Sequence, residues 1–190
     1  MIMSDDVVET KMFTIFQLIN DWLKFAEAKN LAIIALSGAA CSALASYLAS
    51  SQGLTPDLKR ILWVAVFFFA LSCVTSLLSF TPRTSQKNLL SLFPDWGAPS
   101  AEDNLYFYKD LGKYRDAGEL AKKYRDLFSG AATQTATTTP ASHQQLAKQI
   151  IVNSQIVVYK LRFFVVALLL SVIAIGTILG LLIYKVMVSS

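Results

Sequence analysis

Phe163 to Tyr184 reads FFVVALLLSVIAIGTILGLLIY, 22 residues without a charge. A helix needs about 20 apolar residues to cross a bilayer core, so the run is long enough. The residues before it, Ser142 to Arg162, are polar but keep helical spacing. No Pro or Gly interrupts the chain from Ser142 to Ile175. The stretch predicts one long helix, N-capped at Ser142, that starts in water and ends across a membrane. A helix of this kind can carry a movement from a soluble region into the bilayer.

The composition agrees. Of 190 residues, 54% are hydrophobic and only 16% charged, where a soluble domain carries about a quarter charged residues. The class is therefore an all-α integral membrane protein. The first residues include Asp5, Asp6 and Glu9, whereas a secretory signal would open on basic residues. Cys41 and Cys73 lie inside apolar runs, which suggests packing residues rather than a disulfide or a zinc site.

Four parts follow along the chain: 1–30, 31–83, 84–162 and 163–190. Residues 1–10 read as a flexible acidic start. From 12 to 29 an amphipathic helix is predicted: Met12, Ile15, Phe16, Ile19, Trp22, Leu23 and Ala26 share one face at three–four spacing. Its polar face is mixed in sign, so lipid contact and packing on protein weigh equally. Residues 31–50 and 61–80 form a transmembrane hairpin around the polar turn 51–60, which holds Gly53 and Pro56. Trp63 suits the interface. In the first segment Ala35, Ala39 and Ala43 share a face, with Gly38, Ser42 and Ser46 beside it. Such spacings let helices approach closely in lipid, as does Gly176-x-x-x-Gly180 in the third segment. For the alanine face, packing within one chain is the preferred use over self-association.

Residues 84–162 are the one sizeable soluble part and read as mostly helical. A linker-like start through Pro94, Gly97 and Pro99 leads to NLYFY at 104–108, a strand or a first helical turn. Lys109 to Phe128 predicts two short helices broken near Gly118. Residues 129–141, SGAATQTATTTPA, read as a flexible loop. With about 50 ordered residues this part sits near the limit for an independent core, so it should lean on neighbouring helices.

Lys and Arg are distributed unevenly. Residues 1–30 hold three and 81–162 hold eleven, against two in 51–60 and one in the tail. The positive-inside rule then places the N-terminus and 84–162 in the cytosol and the C-terminus outside it.

The sequence offers little chemistry. His143 has no partner at ligand spacing and reads as a solvated surface residue. No phosphate loop, dinucleotide motif, HExxH or nucleophile elbow occurs, so no catalytic residue, metal or cofactor is assigned and an enzyme is not expected. The runs 31–56, 61–82 and 163–184 carry no Asp, Glu, Lys, Arg or His. That argues against a carrier or an ion-coupled pump. A pore would need oligomerisation and a lining of Ser, Thr and small residues. The basic residues from Lys109 to Arg125 alternate with acids, and composition alone favours a solvated face. The functional alternative is a phosphate-bearing ligand held by the basic set Lys109, Lys113, Arg115, Lys122, Lys123 and Arg125, with Lys109, Lys113 and Arg115 next to Asn104 preferred, and with Tyr106 and Tyr108 stacking on a base.

Four stretches together resemble one family. AEAKNLAIIA from Ala26 to Ala35 is similar to the lead-in to the first membrane helix of Pycsar-type membrane effectors. The Pro82-Arg83 exit, the Asn-Leu-aromatic run at Asn104 and LAKQIIVNSQIVVYKLR from Leu146 to Arg162 resemble further motifs in the same order. Lys29, Asn104, Gln149 and Lys160 are the positions that carry over. Two features depart from the pattern: the basic residues after Tyr108 and the Thr/Ala loop. The resemblance implies a bacterial anti-phage effector in the inner membrane. It would sense a cyclic pyrimidine mononucleotide, cyclic UMP or cyclic CMP, made by a partner cyclase. It would then impair the membrane, acting with the lipid bilayer as a homo-oligomer and without nucleic acid. The alternative is a membrane anchor that recruits a cytosolic protein. A small channel or transporter subunit is a third reading.

Overall fold

The structure, a computed structural model, describes residues 2–51, 53–81, 97–128 and 139–189. Its elements are helices: α1 (Ile2–Ser50), α2 (Pro56–Leu78), α3 (Tyr108–Leu111), α4 (Ala117–Phe128) and α5 (Ala141–Ser189). Three of them, α1, α2 and α5, are long and apolar enough to cross a membrane. The all-α membrane class read from the sequence is what the fold shows.

The expected flexible start and the elements 12–29 and 31–50 are a single 49-residue helix. No Pro lies in Ile2–Ser50, and its first Gly is Gly38. Local sequence therefore gives the helix no reason to stop where its apolar face widens. α5 likewise has 49 residues and begins at Ala141, just after Pro140. Ser142 is thus inside the helix rather than its cap. The first turn is closed by Gln144, whose N–H donates to Pro140 O at 3.2 Å while its Nε2 donates to Thr139 O at 3.2 Å. Most of the expected linker and loop, 84–96 and 129–138, lies outside the described residues.

The predicted pair of short helices is present, but the break is at Gly112 to Asp116 instead of Gly118. Asp116 immediately precedes α4, and its Oδ1 accepts the Gly118 N–H at 2.9 Å. That is the bond of an acidic N-cap, and it places Gly118 in the first turn. No strand occurs among the described residues; Tyr108 opens α3.

The chain divides into two compact units: Met1–Phe25 with Pro82–Tyr159, and Ala26–Thr81 with Lys160–Ser190. Both long helices contribute to both. The core of the first unit joins Met12, Ile15 and Ile19 of α1 to Leu111, Tyr114, Leu120 and Tyr124, and to Ala147, Ile150 and Val157 of α5, all fully or almost fully buried. Burying each large side chain stabilises by roughly 1.5–3 kcal/mol. The amphipathic face of 12–25 therefore packs on protein, which decides between the two uses left open by its sequence. His143 is also buried, 1% exposed, with Nε2 3.9 Å from Glu9 Oε2. The surface placement expected for it is wrong: it belongs to the same α5 face as Ala147 and Ile150, at helical spacing.

In the second unit the membrane helices meet along a seam. Ile33, Ser37 and Leu48 of α1, Leu62, Val66, Phe69 and Ser72 of α2, and Ala167, Ser171 and Ala174 of α5 are buried. The outward faces carry exposed Leu, Phe and Val, such as Leu36, Phe67 and Leu169, as a lipid-facing surface must. The alanine face lies outside the seam. Ala35, Ala39 and Ala43 are exposed, as are Gly176 and Gly180, and a Cβ added at either glycine would meet nothing within 4 Å. Packing within the chain, the use preferred from the sequence, is not what the alanines do here.

Candidate functional site

In the first unit the aromatic run forms a turn built by Asn104. Its Oδ1 accepts the Tyr106 N–H at 2.9 Å, its carbonyl accepts the Phe107 N–H at 3.0 Å, and its own N–H donates to Asp110 Oδ2 at 3.2 Å. Asn side chains favour such local turns because they mimic a backbone carbonyl. The turn buries Leu105 and leaves Tyr106 45% exposed. Tyr124 Oη donates to Leu105 O at 2.9 Å, and burial pushes that phenol well above its usual range, so it stays a donor.

Below the turn lies a charge cluster. Lys113 Nζ donates to Asp103 Oδ1 at 2.6 Å and reaches Asp110 Oδ1 at 2.7 Å. These two hydrogen bonds, Asp103 first, hold the ammonium up to about 12. Burial alone would raise the Asp103 carboxyl. The hydrogen bonds from Lys113 and from the Ser100 N–H, with the charges of Lys113 and Lys123, outweigh it and leave the group below its ordinary value. Lys123 Nζ donates to Ser100 O and to Tyr114 Oη, both at 2.7 Å. Its described hydrogen-bond partners are therefore neutral.

A cavity of about 510 Å³ opens here, lined by Asn104, Tyr106 and Lys123 together with Asp103, Asp126 and Leu127. Of the sequence candidates it brings together Asn104 and Tyr106. Lys113 is held by two carboxylates, and Tyr108 packs on Trp22, ring centroids 5.2 Å apart, with burial raising its phenol. Lys109 and Arg115 are exposed and do not line the cavity. Lys123 stood only in the wider basic set and not among the preferred ligand residues, and Asp103 was missed. The i, i+3 spacing of Lys123 and Asp126 on α4 was the available signal. A second groove, about 630 Å³, is lined by Asp6, Glu9 and Phe13 of α1 and Ser142, Gln145 and Gln149 of α5. Two carboxylates without a lining cation make it the poorer host for an anion.

The second unit holds two polar clusters. At one end Lys160 Nζ lies 3.1 Å from Glu27 Oε1, donates to Ser79 O at 3.3 Å and sits 4.6 Å from the centre of the Phe80 ring. Asn30 Nδ2 donates to Lys160 O at 3.0 Å and to Ala26 O at 2.9 Å. Ser79 is the residue after α2, so the cation meets the carbonyl-rich helix end that favours it. Lys29 Nζ stands 5.0 Å from the Phe164 ring centre. Deeper in, Ser37, Ser72 and Ser171 form a triangle with Oγ separations of 3.1, 3.0 and 2.8 Å, and Ser72 Oγ donates to Ala167 O at 2.7 Å. One proton arrangement uses all three donors: Ser37 to Ser171, Ser171 to Ser72, and Ser72 to Ala167 O. Interhelical bonds in lipid are worth about 0.6 kcal/mol each on average. This set links α1, α2 and α5 at one level.

Residues 11–186 match the Pycsar effector protein domain. The chain belongs to the Pycsar effector family. No curated protein and no solved structure matches it. The match covers both units of this Pycsar effector, so Asn104, Gln149, Lys29 and Lys160 all fall inside it. Their places in the fold differ. Asn104 builds the turn and Gln149 lines the acidic groove, while Lys29 and Lys160 sit at the charged end of the seam. The family is one of anti-phage signalling effectors, and the three long apolar helices make this member membrane-embedded.

Proposed function

We propose that this Pycsar effector binds a cyclic pyrimidine nucleotide at the Asn104–Tyr106–Lys123 cavity and responds by impairing the bacterial inner membrane. The N-terminus and 84–162 lie in the cytosol and the C-terminus outside, in keeping with the Lys and Arg count. The observation that carries the reading is the cavity itself. At about 510 Å³ it falls within the usual range for small-molecule sites. It offers an exposed aromatic ring for a base and, in Lys123, a cation held by neutral acceptors for a phosphate. The exposed faces of Ala35–Ala43 and Gly176–Gly180 fit self-association of the effector in the bilayer.

Equilibrium binding of cyclic UMP and cyclic CMP to the full chain in lipid nanodiscs tests the site. Stacking on an aromatic side chain is worth about 1–3 kcal/mol, so Tyr106→Ala should weaken binding by a factor of roughly 5 to 150. In cells, a co-expressed cyclase should depolarise the membrane with the native chain and not with the variant. Absence of binding, together with a stable complex with a soluble protein, would replace this reading by that of a membrane anchor. Mass measurement of the nanodisc-free protein reads the subunit number, and a strict monomer would remove the self-association part.

A further inference from the structure

The buried seam of the second unit changes character along its length. From Lys160 inward it is polar: Asn30, Ser79, Ser76, then the Ser37–Ser72–Ser171 triangle, each 1% exposed or less. Beyond the triangle it is apolar. Leu48, Leu58, Leu62 and Val66 form a cluster. On α2 the switch is abrupt, because Ser72, Ser76 and Ser79 continue the face that Leu62, Val66 and Phe69 begin.

Serine suits a dry helix seam only where its hydroxyl is paired, as the three of the triangle are. Alanine fills nearly the same space without a hydroxyl to satisfy. The polar half is, however, incompletely paired. Asn30 Oδ1 and Ser76 Oγ are buried and have no hydrogen-bond partner among the described residues. Each such atom is destabilising if left dry. Both lie between the Lys160 end and the triangle, where charged Glu27, 40% exposed on its side chain, opens to solvent.

We propose that the half-seam from Lys160 to the Ser37–Ser72–Ser171 triangle, closely packed in this structure, opens in the resting protein as a water-filled vestibule from the Lys160 end, bounded at its inner end by the Leu48–Leu58–Leu62–Val66 cluster. Its occupant is water, and its barrier is hydrophobic: a constriction lined by leucine resists wetting even where water stands on one side. The triangle marks the depth water reaches. This property belongs to the resting protein and needs no nucleotide, so it stands or falls apart from the signalling reading.

Thiol reactivity measures it, because the thiolate, which forms only in contact with water, attacks the sulfenyl sulfur of a methanethiosulfonate reagent and expels methanesulfinate. In a Cys41→Ala, Cys73→Ala background in nanodiscs, Ser76→Cys and Ser79→Cys should react with a charged, membrane-impermeant reagent at least about tenfold faster than Val66→Cys. Two positions are used so that one misfolded variant does not decide the matter, and full labelling in denaturant confirms each thiol. Equal slow rates at 66, 76 and 79 would show a dry seam and overturn the vestibule. A fast rate at Val66→Cys would show that the leucine cluster is no barrier, which overturns it equally.

Discussion

Val157→Pro will silence the effector while leaving it in the membrane. Val157 is fully buried in α5, three residues before Lys160 and well before the apolar run that starts at Phe163. An interior proline removes the N–H that bonds the carbonyl four residues back and clashes with that carbonyl, at a cost of about 3 kcal/mol or more. Here the carbonyl belongs to Asn153, whose Nδ2 donates to Asn20 Oδ1 at 2.8 Å. Two residues before the substitution, Gln155 Nε2 donates to Gly112 O at 3.0 Å. The kink therefore falls where α5 is tied to α1 and to the turn after α3. The third membrane segment keeps its 22 uncharged residues, so insertion should survive. With a cyclase co-expressed, membrane depolarisation and growth arrest should be lost, and the protein should still fractionate with membranes. Val157→Ala separates helix from packing: it keeps α5 continuous and loses only side-chain contacts, about 1–3 kcal/mol, so signalling should weaken without vanishing. If Val157→Pro still depolarises cells, an unbroken α5 is not needed for the response.

How much of this could be read beforehand depends on distance along the chain. The continuity of α5 was legible because helix breakers are local and none occurs before Gly176. The three membrane helices were legible for the same kind of reason, as apolar length is a property of a single stretch. The break after α3 was misplaced because glycine at 118 is a conspicuous signal, whereas the deciding feature was Asp116 two residues earlier. His143 was misjudged because its burial depends on α1 packing against the start of α5, far away in sequence. The serine triangle was out of reach altogether. Its members are 35 and 134 residues apart as counted from Ser37, and each serine taken singly is an unremarkable membrane residue. The site fared between these cases. Asn104 and Tyr106 share the cavity, but the basic residues nearest them in sequence turned away or paired with Asp103 and Asp110. Lys123 comes from α4, and only the fold brings it there.

Lys160→Met carries the second large effect. Methionine keeps the length of the stem, so the change removes the charge with little loss of volume. The ammonium now touches Glu27, Ser79 O and the Phe80 ring, on a side chain only 10% exposed. Removing one partner of a buried ion pair costs about 3–5 kcal/mol, chiefly by stranding the other charge. Glu27 is partly solvated, which reduces the figure to about 1–3 kcal/mol. For a chain of this size each kcal/mol moves the melting temperature by about 2–4 °C, so a fall of roughly 2–12 °C is expected in nanodiscs. The bond from Asn30 to the Lys160 carbonyl is backbone-directed and survives, so the helices should remain in register. The stranded carboxylate gives the idea its sharpest check. Glu27→Gln alone should destabilise modestly, and adding it to Lys160→Met should restore part of the loss, because no unpaired charge is left. Simple addition of the two losses would mean that Glu27 and Lys160 do not act as a pair, and that the cation is held by the Ser79 carbonyl and the Phe80 ring alone.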